Sequence, residues 1–145
     1  MRINDVLSAK SSQEVVTISP DATVRDLLGL LADHNVGALI VSGDGSSVDG
    51  IVSERDIVRQ LHSGEGVLDA AVASIMTVEV TTCDGHDSVN DLMQVMTENR
   101  IRHVPVVKDG AITGIISIGD IVKNRMSELE FERDQLDSYV HTAQS

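Results

Sequence analysis

Aromatic side chains are nearly missing from this chain: one Phe, one Tyr and no Trp. Its core must therefore be built from Val, Ile, Leu, Ala and Met, which suits closely layered strands and helices. The same shortage removes any aromatic-basic alternation on which nucleic-acid bases could stack. Cys83 is the single cysteine, which excludes an internal disulfide and a paired-cysteine metal site. It reads as a small apolar strand residue. Positive charge is scarce too, with 11 Lys and Arg against 23 Asp and Glu, for a formal net charge of −12. Such a chain repels nucleic acid and anionic membrane at long range. No charged start leads into an apolar run, and no stretch approaches about 18 apolar residues, so neither a signal peptide nor a membrane span is expected. A cytoplasmic location is the corresponding expectation. At 145 residues the chain can bury roughly two-thirds of its unfolded surface, as one domain or as two small ones packed together.

The chain repeats itself. A shift of 65 positions places Thr17 on Thr82, Val24 on Val89, Asp26 on Asp91, Leu27 on Leu92, Val36 on Ile101, Val41 on Val106 and Gly45 on Gly110. One residue is lost in the second copy between Gly110 and Gly114. Beyond that turn GIVSERDIV at residues 50–58 falls on GIISIGDIV at residues 114–122. A difference of this size in a hairpin loop is readily tolerated. Each copy predicts the same elements: a strand (15–18; 80–83), a turn, and a helix opened by Thr23 or Ser88 with an acid three residues on. Apolar residues at 24, 27, 28 and 31, and at 89, 92, 93 and 96, form the helical stripe. A β-hairpin follows (37–42 with 50–53; 103–107 with 114–117), then a second helix just after Ser53 or Ser117. The unit is βαββα. A short lead-in precedes each copy, DVLS at residues 5–8 and SIMT at residues 74–77.

The last helix continues from Ile118 through Val122, Met126, Leu129, Leu136 and Val140, a near-heptad stripe interrupted by Arg133. A helix this long with a narrow apolar stripe reaches past its own domain, so a role in dimerisation is expected; a solvated tail is the alternative. The expected divisions are residues 1–62 for the first copy with its lead-in, 63–79 for the linker, 80–125 for the second copy and 126–145 for the C-terminal helix extension.

Ser53 with Asp56, and Ser117 with Asp120, suit a helix start on structural grounds alone. The hydroxyl caps the helix, the acid reaches back to the cap's backbone N–H, and the dipole favours the negative charge. The same placement suits a ligand: helix starts offer unsatisfied N–H groups to an anion, and a carboxylate there can accept hydrogen bonds from ribose hydroxyls. NRIRHVP at residues 99–105 adds two Arg and a His immediately before a strand, where a buried strand has no need of them. Net charge does not oppose a phosphate here. Charges beyond about 8 Å are largely screened, whereas one Arg at about 4 Å attracts a phosphate by roughly 4 kcal/mol before desolvation.

These ordered features resemble a tandem pair of cystathionine-β-synthase (CBS) domains, most closely the small stand-alone pairs of bacteria and plant organelles. GIVSERDIVR, NRIRHVPVV, IMT at residues 75–77 and SIGDIVK before a long acidic helix carry the likeness. The resemblance implies an α+β fold of two βαββα CBS repeats packed as a pseudo-two-fold module, with a long C-terminal helix. It also implies two clefts between the copies, where family members bind AMP, ADP, ATP, S-adenosylmethionine or, in some, NAD(H). Asp56 and Asp120 match the ribose-binding Asp, and Ser53 and Ser117 the hydroxyl beside it. Arg102 and His103 match a basic pair that contacts phosphate in the gamma subunit of AMP-activated kinase, and Arg55 is a further phosphate candidate. Residues 36–39 and Val104 suit adenine. The first copy departs from the pattern: it has Gly37 and Ala38 where the second has Arg102 and His103. Two ribose-competent clefts of unequal phosphate affinity follow.

The expected function is a regulatory module, an energy or redox sensor that binds an adenine nucleotide and signals its state to a separate effector protein. A constitutive dimeric scaffold, binding a partner through the C-terminal helix without nucleotide, is the alternative. The chain is not expected to be an enzyme, to hold a catalytic cofactor or to bind metal. No nucleophile-base pair or metal-ligand spacing is present. A polar turn accounts for Cys83, His86 and Asp87, and His34, His62 and His141 read as helix surface or helix ends.

Overall fold

The computed structural model describes residues 1–10 and 15–144. The elements, in chain order, are α1 (Ile3–Ser8), β1 (Thr17–Ile18), α2 (Val24–His34), β2 (Ala38–Val41), β3 (Gly50–Ser53), α3 (Glu54–Leu61), α4 (Val89–Asn99), β4 (His103–Lys108), β5 (Ala111–Ser117) and α5 (Ile118–Gln144). Two short 3₁₀ turns, Glu65–Asp69 and Val72–Ser74, lie in the connection between the copies. The side chain of His141 lies outside the described residues.

In the first copy β1 pairs parallel to β2, and β2 pairs antiparallel to β3 with Ile40 opposite Ile51. In the second copy β4 and β5 form an antiparallel hairpin with Val104 opposite Ile116 and an irregularity at Val106/Val107. The expected strand at residues 80–83 shrinks to one parallel bridge, Cys83 to Val106. Its backbone is held at Cys83 alone, by bonds to Pro105 O (3.0 Å) and from Val107 N (2.9 Å). The cause is that the chain is passing from one copy to the other there. Thr77 is still bonded to Ile51 in the first copy, through N–H···O bonds in both directions at 2.9 and 3.0 Å.

Each helix begins as its sequence dictates. The Thr23 hydroxyl accepts from Asp26 N (3.1 Å), and Asp26 accepts in return from Thr23 N (3.1 Å). Ser88 accepts from Asn90 N and Asp91 N. Asn35 (φ 51°) and Arg100 (φ 55°) end α2 and α4 in the left-handed conformation.

The lead-in segments cross over. Those of the first copy pack on the second: Ile3 N and Asn4 N donate to Asp87 O (3.0 Å) and Gly85 O (2.8 Å), and Val89 N donates back to Met1 O (3.1 Å). Ile3 and Val6 are fully buried in the second core with Val89, Leu92, Met96, Val104, Val106, Ile116 and Ile121. In mirror fashion Val72 enters the first core among Ile18, Val24, Leu27, Leu31, Leu39, Val41, Val52 and Ile57. Its N–H donates to Ala22 O at 2.8 Å. The two hairpins also meet, through Ile112 N to Ser46 O at 2.8 Å.

This crossing explains the glycine that opens each repeated stretch. A Cβ on Gly50 would stand 2.8 Å from both Met76 Sδ and the Thr77 carbonyl, and one on Gly114 would stand 3.1 Å from Leu7 Cδ2. Gly50→Ala is accordingly expected to destabilise by about 1–3 kcal/mol, the usual range for overpacking. Gly29→Ala on the open face of α2, where nothing lies within 4 Å, should stabilise by about 0.5–1 kcal/mol. Urea denaturation of both variants checks the contrast, and a neutral Gly50→Ala would contradict the crossing geometry.

Candidate functional site

The crossing opens a cleft of about 280 Å³ between the copies, near the small end of the roughly 300–1,000 Å³ usual for ligand pockets. The first copy lines it with Gly37 and Ala38 at the head of β2, with the end of β3, and with Ser53, Glu54, Arg55, Asp56 and Arg59 where β3 becomes α3. The connection supplies Thr77, Glu79, Val80 and Thr81. The second copy supplies Arg100, Ile101, Arg102 and His103, from the end of α4 to the head of β4.

Local chain chemistry sets each of these side chains. Ser53 caps α3, and Asp56 Oδ2 accepts from both Ser53 N (2.8 Å) and Ser53 Oγ (3.1 Å). One edge of the carboxylate is thus committed to the helix start, and Asp56 Oδ1 has no partner among the described residues. Glu54 N donates to Gly37 O (3.0 Å), and Ile118 N donates to Arg102 O (2.9 Å). These two bonds pin the head of each hairpin to the start of the following helix. Arg55 and Arg59, four residues apart, share one face of α3.

Four of the chain's eleven Lys and Arg residues, Arg55, Arg59, Arg100 and Arg102, line this one cleft. None of the four forms an ion pair among the described residues. In an acidic protein this is an unusual concentration of uncommitted positive charge, and guanidinium groups bind phosphate and carboxylate oxygens in pairs. Arg100 strengthens the point. It holds a left-handed φ of 55° at a helix end where the first copy uses Asn35, a residue that tolerates this conformation better than Arg.

His103 stands half-buried at the head of β4. Its ring and Glu54 approach Gly37 from two sides; a Cβ there would lie 3.8 Å from His103 Cε1 and 3.4 Å from Glu54 Oε1. Burial holds the imidazole pKa below its ordinary value, outweighing Asp120 and Glu54, which act to raise it; Arg102 and Lys10 lower it further. His103 is therefore neutral at pH 7.

Of the sequence-predicted site residues, the structure brings Ser53, Arg55, Asp56, Arg102 and His103 into this cleft. Ser117 and Asp120 stand outside it, at the start of α5. There Asp120 Oδ2 accepts from Ser117 N (2.9 Å), and Asp120 N donates to Ser117 Oγ (3.1 Å). Of the residues suited to adenine, Gly37 and Ala38 line this cleft and Val36, Leu39 and Val104 do not; Val80, Ile51 and Ile101 supply further apolar wall. Arg59, Arg100, Thr77 and Glu79 were not anticipated. The i, i+4 relation of Arg59 to Arg55 was a readable signal, but the crossing that delivers Thr77 and Glu79 was not. Among the described residues no three His, Cys, Asp or Glu side chains gather into a metal site. Burial and the nearby Asp87 and Asp84 push the Cys83 thiol up to about 12, which leaves it unreactive. No helix among the described residues is long and apolar enough to cross a membrane.

Fold and cleft together define a duplicated α+β module with a cleft between its halves. The chain belongs to the CBS domain family, whose profile matches residues 3–63 and again 72–127. It is 36% identical to the CBS domain-containing protein CBSX3, mitochondrial, of Arabidopsis thaliana, over 95% of this chain and 71% of that protein. The CBS-domain containing protein ATU1752 from Agrobacterium tumefaciens superposes with a TM-score of 0.81 at 39% identity, covering 86% of this chain and 99% of that one. A more distant structure, the CBS domain pair of MJ0100 in complex with 5′-methylthioadenosine and S-adenosyl-L-methionine, shares the fold with a TM-score of 0.75 at 24% identity. It covers 85% of this chain and 98% of that one.

The depressed His103 pKa carries a pH signature. Its unfolded form takes up a proton as pH falls through about 6.5, while the folded form resists until its own lower pKa is reached. Stability is therefore fully present above that range and is lost as pH falls below it. Wild-type protein should lose stability relative to His103→Gln between pH 7 and pH 5 in urea titrations. A gap between the two that does not change with pH would contradict the burial of a neutral ring.

Proposed function

We propose that the chain is a non-enzymatic regulatory module that binds an adenine nucleotide in the cleft headed by Asp56 and conveys its occupancy to a separate effector protein. The observation that carries this reading is the presence, in one cleft, of a carboxylate with one oxygen unbonded and four arginines without ion pairs among the described residues. Asp56 Oδ1 suits the hydroxyls of a ribose. Arg55, Arg59, Arg100 and Arg102 suit phosphates, so AMP, ADP, ATP and NAD(H) fit this cleft better than S-adenosylmethionine, which carries no phosphate. The adenosyl ligands of the MJ0100 pair lend the nucleoside part of the reading support from within the fold. Signalling follows from linkage: a ligand bound between the copies favours whichever arrangement of the halves it binds better, and a partner can read that arrangement.

The same reading takes the protein as a homodimer joined through α5. Val122, Met126, Leu129, Leu136 and Val140 remain exposed along this helix. Both aromatic residues of the chain, Phe131 and Tyr139, are exposed on it as well, at 64% and 73%. Those exposures also favour the second reading, a constitutive scaffold that holds a partner through α5 and needs no nucleotide.

A thermal-shift panel of AMP, ADP, ATP, NADH and S-adenosylmethionine separates the two. A ligand at 100 times its dissociation constant should add about 2.7 kcal/mol to native stability. Asp56→Ala should weaken nucleotide binding by about 1.5–3 kcal/mol, the range for hydrogen bonds to a charged group, while the lost capping-box bond from Ser53 N shows separately as lower native stability. If no ligand shifts the protein and extraction releases no nucleotide already bound, the scaffold reading replaces the sensor.

A further inference from the structure

The two repeats treat their matching aspartates differently. Asp56 makes no ion pair among the described residues, whereas Asp120 Oδ2 stands 3.2 Å from Lys10 Nζ. The ammonium is anchored from a second side by the carbonyl of Ile115, at 3.0 Å. Carboxylate and ammonium are both largely sheltered, with side-chain exposures of 23% and 29%.

The crossing of the lead-ins gives this contact its meaning. Leu7 lies against Gly114 as Met76 lies against Gly50. Three residues beyond each contact stand Lys10 and Glu79. Glu79 lines the first cleft, where its negative charge cannot pair with Asp56. Lys10, at the matching position beside the second helix start, pairs with the Asp120 oxygen that also accepts from Ser117 N, so its ammonium stands against the group a ribose would approach. The duplicated frame is thus open in one half and occupied by the chain's own cation in the other.

We propose that Lys10 is an internal plug that takes the place of a ribose at Asp120, so that one chain holds one nucleotide, in the Asp56 cleft. The second site becomes available only when Lys10 is removed or displaced. This inference rests on the nucleotide reading above. Lys10→Met keeps an unbranched stem and deletes the charge; Lys10→Arg keeps the charge and the plug.

Titration calorimetry with AMP, repeated with ATP, on nucleotide-free protein counts the sites. Wild type and Lys10→Arg should bind one nucleotide per chain, and Lys10→Met two. Adding Asp120→Asn to Lys10→Met should return the count to one. The site retained in every variant shows that each is folded. A count of two in wild type, or of one in Lys10→Met, overturns the plug while leaving the Asp56 site intact. A count that falls from two to one in Lys10→Met would make Lys10 a ligand-binding residue and overturns it equally. No binding by any of the four proteins overturns the plug and the nucleotide reading together.

Discussion

The structure depends on an exchange of short apolar segments between its two halves. Ile3 and Val6 complete the core of the second copy, and Val72 completes that of the first. Burial of an aliphatic side chain of this size contributes roughly 1.5–3 kcal/mol, and without aromatics to enlarge either core, neither half can spare it. The exchange also sets the chemistry. It draws residues 77–81 across the face of the first copy to become one wall of the cleft, and it sets Lys10 beside the start of α5. Cores and sites are therefore not separable: a change that loosens a lead-in alters both.

Duplication gave the two halves the same helix start, and the neighbours of that start make them different. Ser53 and Asp56, like Ser117 and Asp120, hold one another through hydrogen bonds that any capped helix could use. What surrounds them departs from symmetry. Arg102 and His103 of the second copy face across to Asp56 of the first, whereas Gly37 and Ala38 occupy the matching positions and bring no charge. Positive charge is gathered at one cleft although the chain as a whole carries −12. Screening makes these facts compatible, because the distant acids scarcely reach a phosphate that touches an arginine.

Much of this was legible in the residues. The repeat, the capped helices, the hairpins and the continuous last helix follow from patterns of period two and 3.6 and from turn residues, which act locally. The helix starts at Ser53 and Ser117 and the basic segment before β4 were readable for the same reason. The strand expected at residues 80–83 was not, because β-branched residues there serve a crossing chain with no neighbour to pair with before Cys83. The presence of Asp56 and Arg102 in one cleft, rather than of each aspartate with its own copy's basic residues, is a consequence of how the halves face each other. No local pattern encodes that. Arg100 shows a third case: its residue type was visible, but its left-handed backbone, which carries a conformational cost, appears only in three dimensions.

The central claim is that an adenine nucleotide lies between the copies, with its ribose on Asp56 and its phosphates towards the arginines of both halves. A crystal structure of the protein with bound ADP tests it most directly. The account predicts ribose hydroxyls within hydrogen-bonding distance of the Asp56 carboxylate, and the diphosphate facing Arg55, Arg59 and Arg102. A nucleotide seated elsewhere, or one turned so that its phosphates point away from these guanidinium groups, would contradict it.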